Sequence, residues 1–406
     1  MLEQSERLRQ VKYAIRGPVL EAAYEMEKRG EKILKLNIGN PGVFGFDADP
    51  SLLSAMQENL LGSDGAQSYS HSQGITSARE AIVSYHTERG VSGIDIDDVF
   101  IGNGASELIS MSLQALLNPG DEVLIPAPDY PLWTASVNLA DGTPIHYLCN
   151  ESDGWNPDLT DMASKISSKT RAIVIINPNN PTGGVYSEET LKGIVALAKK
   201  HNLLLLADEI YDRILFDGAR HIPLAALAGD HPCLTFNGIS KTHLACGFRG
   251  GWLVLSGNTD ELQNYKQGLA TLASMRLCSN VAAQYACKAA LEFDTQMKEF
   301  VHPEGRLHRQ HTKAWEALNS IDGISCVKAE GALYLFPKID TEKFGIHDDE
   351  QFVLDFLREK KVLIVNGTGF NWPQPDHFRI VVLPKESELL DAIERLRSFL
   401  STYRQV

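Results

Sequence analysis

The chain has 406 residues, is 43% hydrophobic, and carries 52 acidic against 38 basic side chains, a formal net charge of −14. That length exceeds what one small core organises, so two domains are expected, with enough apolar content to fill both. The acidic balance and the lack of any dense lysine–arginine block argue against nucleic acid or an anionic membrane as partner, and no apolar run approaches a bilayer-spanning length.

Six cysteines, at 149, 233, 246, 278, 287 and 326, fall at irregular spacings with no Cys-x-x-Cys pair. This is the pattern of free thiols in a reducing cytoplasm. The opening MLEQSERLRQ is charged from Glu3 and has no apolar centre, so neither a secretory signal nor a membrane anchor is expected there.

Residues 1–45 read as an N-terminal arm that joins a smaller domain, polar and helical at first, with Gly17-Pro18 interrupting and a glycine–proline turn after LKLNIG. Within it Tyr13 and Arg16 stand three apart and share a side if the segment is helical; a solvated helix face is the alternative. A helix from Ser51 leads to a polar loop around Tyr69 and a second helix from near Thr76. Seven short apolar runs then alternate with helical patterns: Val99 to Ile101, Val123 to Pro126, Ile145 to Leu148, Ala172 to Ile176, Leu203 to Ala207, Leu234 to Phe236 and Trp252 to Leu255. The pattern predicts an α/β fold with a mainly parallel sheet covered by helices on both faces. A long helical region follows to about residue 300, where a smaller α/β unit, 301–406, is taken to begin, leaving 46–300 as the large domain.

Chemistry clusters behind these runs. After Ile101 comes GNGASEL, glycines opening into a helix whose first N–H groups form an anion site. APDYPLW offers Tyr130 as a flat ring. NPNNPTG, with Asn177 and Asn180 each before a proline, must turn sharply. DEIY places Asp208 at a strand end and Tyr211 three residues on. Each has a plainer reading, a tight turn or a helix cap. Yet ligands bind outside the carboxyl ends of strands in open α/β sheets, and these residues recur there in sheet order.

The run Leu234 to Phe236 leads into FNGISKTHLACGFR, where Lys241 lies just past the strand and Arg249 eight residues beyond. A lysine amine becomes nucleophilic when its surroundings lower its pKa, and a planar guanidinium grips a phosphate through two bonds. The pair suggests pyridoxal phosphate. In the smaller unit Arg379 precedes an apolar strand in HFRIVVLP and either caps a surface or faces the cleft. His308 and His311, three apart, have metal-compatible spacing, but with no third ligand in pattern a solvated helix face is expected and no metal site.

GNGASEL, PDYPLW, NPNNPTG, ADEIYD, SKTHLACGFRGG and HFRI, in this order, resemble the class I aminotransferases of the pyridoxal phosphate fold type I group, over nearly the whole chain. The resemblance implies a seven-stranded large domain with a smaller α/β domain, pyridoxal 5'-phosphate as cofactor, and a homodimer. It implies Lys241 as the Schiff-base lysine, Asp208 as partner of the pyridinium nitrogen, and Tyr211 with Asn180 as partners of the ring 3'-oxygen. Tyr130 matches the stacking ring. Arg249, Ser240 and the backbone of Ala105 and Ser106 match the phosphate cradle, and Tyr69 a tyrosine reaching the phosphate of the other subunit. Arg379 matches the arginine for the substrate α-carboxylate, and Gly39 a backbone contact beside it. Gly238 departs from the pattern, since many relatives carry a phosphate-binding serine there.

YAIRGPV, LKLNIGNPGVFGF, APDYPLWTASV and ASMRLCSN are most similar to bacterial alanine (glutamate-pyruvate) aminotransferases. That implies ping-pong exchange between L-alanine and 2-oxoglutarate, with Tyr13 and Arg16 folding over the pocket to engage the side-chain carboxylate of glutamate. The sequence leaves open an aminotransferase for aspartate or aromatic substrates, a pyridoxal phosphate C–S β-lyase, or a non-enzymatic cofactor-binding module, and it leaves open what Arg276 contacts.

Overall fold

A computed structural model describes residues 2–9, 11, 17–62, 66–292 and 296–405, with backbone alone at 259 and 260. All seven expected runs are strands: β1 Val99–Asn103, β2 Glu122–Ala127, β3 Thr143–Asn150, β5 Thr170–Ile176, β6 Leu204–Asp208, β7 Cys233–Gly238 and β8 Gly250–Ser256. A two-residue strand, β4 (Asn156–Pro157), adds an eighth at the edge, so the sheet order is β1-β8-β7-β6-β5-β2-β3-β4. Strands β7, β6, β5, β2 and β3 run parallel in succession, while β8 is antiparallel to both of its neighbours and β4 to β3.

The apolar runs show no polar alternation because both faces of the sheet are covered. Ile173, Ile175, Leu205 and Ala207 enter one core, and Ala172, Val174, Leu204 and Leu206 the other. The helix after β1, α1 (Ala105–Leu116), lays Leu108, Ile109 and Leu113 into the second core. Antiparallel β8 starts where β1 ends, with Gly250 opposite Asn103. A Cβ at Gly251 would run into the Ala105 backbone nitrogen. Glycine there lets the start of α1 close onto the sheet.

A separate core joins Val19, Leu20, Ala23 and Met26 of the helix Pro18–Lys28 with residues between Met297 and Leu400. Leu34–Lys35 pairs in parallel with Val362–Leu363, which fixes the N-terminal segment to the C-terminal unit. His308 and His311 correct the expected solvated face. They are 8% and 0% exposed, on the helix Arg306–Asn319. The His311 ring stacks on Phe216 at 4.4 Å, and burial pushes its pKa down to about 3. His308 Nε2 lies 2.9 Å from Asp217 Oδ1. Among the described residues no group of His, Cys, Asp or Glu is arranged to hold a metal, and no helix is long and apolar enough to cross a membrane. All six cysteines are free thiols.

Candidate active site

The carboxyl ends of β1, β2, β5, β6 and β7 meet at one edge of the sheet, and a cavity of about 210 Å³ lies there. Every expected site residue among those described lines it except Tyr69. Tyr69 is 78% exposed on the surface of the chain. Tyr13 and Arg16 lie outside the described residues.

At the floor is Asp208, the last residue of β6 and 4% exposed. Burial pushes its pKa up to about 6, although Trp133 Nε1 donates to Oδ2 at 3.0 Å and pulls the other way. A carboxylate in this state is poised to ionise fully against a cation placed beside it. Trp133 is a partner the sequence reading missed. It stands three residues after Tyr130, in the first turn of the helix Leu132–Leu139.

Lys241 follows β7 and its Nζ donates to Gly39 O at 2.6 Å, so the amine is directed by a carbonyl from the N-terminal segment. Tyr211 OH and Tyr334 OH are 2.9 Å apart. Burial first, then Tyr334, raises Tyr211 well above the ordinary phenol range, with Arg379 opposing. Tyr334 was not expected. It lines the cavity, and a Cβ at Gly39 would meet its hydroxyl, so glycine is required where this ring closes on the N-terminal segment.

One end of the lining is built for an anion. Gly104, at φ +79°, precedes α1 and leaves the N–H groups of Ala105 and Ser106 at the helix start. Arg249, itself at φ +59°, donates from Nη2 to Ser106 Oγ at 3.2 Å and Asn103 O at 3.3 Å, and from Nη1 to Cys246 O at 2.9 Å. A Cβ on Gly104 would strike this guanidinium. Ser240 lines the same cavity. At Gly238 a Cβ would sit 2.7 Å from Gly250 O and 2.9 Å from Gly251 Cα, so the packing of β7 on β8 excludes the serine that the family pattern often has.

Arg379, on the strand Phe378–Val381, is 2% exposed. Its Nη1 donates to Asn180 Oδ1 at 2.9 Å and its Nη2 to Asn37 O. Its guanidinium lies 4.3 Å from the Tyr334 ring centre and 4.6 Å from that of Phe370. Such contacts contribute on the order of 1 kcal/mol each. Of the two readings left open for Arg379, facing the cleft is the one observed. Arg276 bonds Ile101 O at 2.8 Å and pairs with Glu107 at 3.2 Å, bracing the start of α1 rather than lining the cavity.

A buried carboxylate, a directed lysine amine, an anion cradle whose glycines exclude side chains and a second, buried arginine make up the donor set of an aminotransferase. The family Aminotransferase class I and II matches residues 31–396, and the chain belongs to it. That family depends on pyridoxal phosphate and acts on amino and oxo acids. The chain is 54% identical over 405 residues to glutamate-pyruvate aminotransferase AlaA of Escherichia coli K12, covering 100% of this chain and 99% of that one. It is 55% identical over 403 residues to the alanine aminotransferase of Mycobacterium tuberculosis H37Rv, covering 99% and 93%. A crystal structure of an Escherichia coli aminotransferase matches with a TM-score of 0.98 at 54% identity over the full length of both chains.

Proposed function

We propose that the chain is an alanine aminotransferase, exchanging the amino group between L-alanine and 2-oxoglutarate in ping-pong fashion, with pyridoxal 5'-phosphate held on Lys241. The observation that carries the chemistry is the buried Asp208 carboxylate in the cavity that also receives Lys241 and two arginines. The substrate assignment rests on the two relatives just described.

In this reading Asp208 keeps the ring nitrogen protonated, and Tyr130 packs on the ring face. Tyr211 and the Asn180 amide N–H₂ serve the ring 3'-oxygen, since Asn180 Oδ1 is already engaged by Arg379. The N–H groups of Ala105 and Ser106, with Ser240 and Arg249, hold the phosphate. Bound there, the cofactor supplies an electron-withdrawing ring that stabilises negative charge at the substrate α-carbon. Lys241 Nζ would take the α-proton from the substrate carbon and hand it on rather than return it, with Gly39 O orienting the amine. Arg379 grips the substrate α-carboxylate through its fork, beside the backbone of Gly39.

Tyr69 we assign to the phosphate of a second subunit in a homodimer. Supporting this, Tyr69, Met275 and Leu277 are exposed, and their segments adjoin through Arg276 Nη2 to Ser72 O at 3.4 Å. We divide the chain into an arm and part of the smaller domain over 1–45, a large domain over 46–300 and the rest of the smaller domain over 301–406; in support, one core joins Val19, Leu20, Ala23, Met26 and Leu36 to residues of the C-terminal unit. A cytoplasmic location fits the free thiols. Tyr13 and Arg16 we assign to the glutamate side-chain carboxylate, so Arg16→Ala should impair glutamate turnover much more than alanine turnover in initial-rate assays.

One spectroscopic titration tests the main reading. L-Glutamate should bleach the visible absorption of the yellow protein, and pyruvate should restore it with L-alanine as product. Restoration that oxaloacetate or an aromatic oxo acid drives far better would overturn the substrates. Pyruvate and ammonia released from cysteine-type substrates without any oxo acid would favour a lyase. A colourless, unresponsive protein after cofactor addition would remove the enzyme reading.

A further inference from the structure

Asp129 immediately precedes Tyr130 of the cavity lining and is itself 0% exposed. Its Oδ2 accepts from Thr134 Oγ1 at 2.7 Å and its Oδ1 from Asn371 Nδ2 at 2.8 Å, a contact between residues 242 apart in sequence. Its backbone N–H donates to Phe370 O at 2.9 Å. Asn371 Nδ2 also reaches Thr134 Oγ1 at 3.2 Å, and His146 Nε2 lies 2.9 Å from that hydroxyl. Burial pushes Asp129 up to about 7 and His146 down to about 4, so neutral donors, not an ion pair, hold the cluster together.

The cluster ends on groups that the cavity uses. Asn371, at φ +56°, caps the turn Gly367–Phe370. Phe370 is 0% exposed and lies against the Arg379 guanidinium. On its other side the cluster continues directly into Tyr130. Three side chains outside the cavity lining thus join the ring that stacks on Arg379 to the loop that carries Tyr130.

We propose that Asp129, Thr134 and Asn371 form a clamp that positions Phe370 against Arg379, and that binding of the substrate α-carboxylate depends on it. They are positioning residues, and the inference rests on Arg379 being the carboxylate site. Tightening the stack fixes the orientation of the guanidinium fork before substrate arrives, so less ordering is left to binding. Loss of the Asn371 amide would leave a buried carboxylate short of a donor and let the Gly367–Phe370 turn shift.

Asn371→Gly removes the amide while glycine keeps the left-handed turn. Thr134→Val removes the other donor without touching that turn, and stands in should the first variant fold poorly. Binding of an α-methyl amino acid, which has no α-proton to lose and so cannot be transaminated, is read by spectral titration of the holoenzyme. Both variants should bind it about fivefold or more weakly, and KM for alanine and glutamate should rise by one common factor, with kcat within about twofold of the parent. Unchanged affinity and KM, or a loss confined to thermal stability, would overturn the clamp. Arg379→Ala separates the two claims. If it destroys binding while the clamp variants bind normally, only the clamp falls; if it binds the analogue as well as the parent does, the carboxylate reading falls first.

Discussion

Arg249 and Arg379 line the same cavity, and the chain holds them in contrasting ways. Arg249 is exposed, sits in a left-handed turn and rests on the edge of a helix start. Arg379 is 2% exposed, its fork aimed by Asn180 and Asn37 and its faces covered by Tyr334 and Phe370. An exposed guanidinium is hydrated until its ligand comes, so its contribution is added to a cradle that backbone N–H groups already form. A buried guanidinium has given up water beforehand and is maintained by fixed neutral oxygens and rings, so its geometry is set in advance. The first arrangement suits a cofactor that stays; the second suits a substrate that must be gripped anew in each half-reaction.

The sharpest way to break this contrast is at the buried end. Arg379→Lys keeps the charge but loses the planar fork and the stacking, and kcat/KM for alanine and glutamate should fall by about 10²-fold or more, with cofactor content unchanged. A loss of cofactor with normal substrate KM would reverse the roles of the two arginines. Steady-state kinetics beside absorbance per subunit distinguishes these outcomes.

Burial of the opposite charge gives an intermediate effect with a defined pH signature. Asp208 titrates near 3.8 when unfolded and at about 6 when folded without cofactor. The folded state therefore bears the cost of the ionised carboxylate above pH 6 and is relieved of it below about pH 4. Asp208→Asn should stabilise the cofactor-free protein near pH 7.5, by up to about 3 kcal/mol, and this advantage should vanish as pH falls to 4. Thermal melts of both apoproteins across this range measure it. The same substitution should slow turnover of the loaded enzyme.

The smallest effect is expected at the exposed end. Arg249→Gln should weaken cofactor retention by about tenfold and leave kcat at saturating cofactor within a few-fold, because the helix start and Ser240 remain. Dialysis followed by reconstitution measures the change. A larger loss than at Arg379 would mean that exposure is no guide to importance here.

Much of this site was legible because its residues follow strands directly. An apolar run sets the strand, the next few residues stand at its carboxyl end, and no long-range register is needed to bring Asp208, Asn180, Tyr130 and Lys241 together. Tyr334 was invisible for the opposite reason. Its place beside Arg379 depends on pairing Tyr334 with Val381, a register between distant segments that local spacing does not encode. Asn37 and Phe370 likewise reach Arg379 only through tertiary packing. His311 was misread although a signal existed: with Leu307, Ala314 and Leu318 it falls on the helix's buried stripe, and periodicity carried more information than the polarity of imidazole. Gly238 looked like a lost hydroxyl, yet it is a position where the neighbouring strand leaves no room for one.

Gly238 and Gly251 share that intolerance, each meeting backbone where a methyl group would go. In a saturation library scored for activity, these two positions should therefore read as all-or-none, with alanine as damaging as tryptophan. At side-chain positions such as Ser240, substitutions should instead grade by chemistry. Steric exclusion and chemical function would thus be told apart by the shape of the tolerance profile alone.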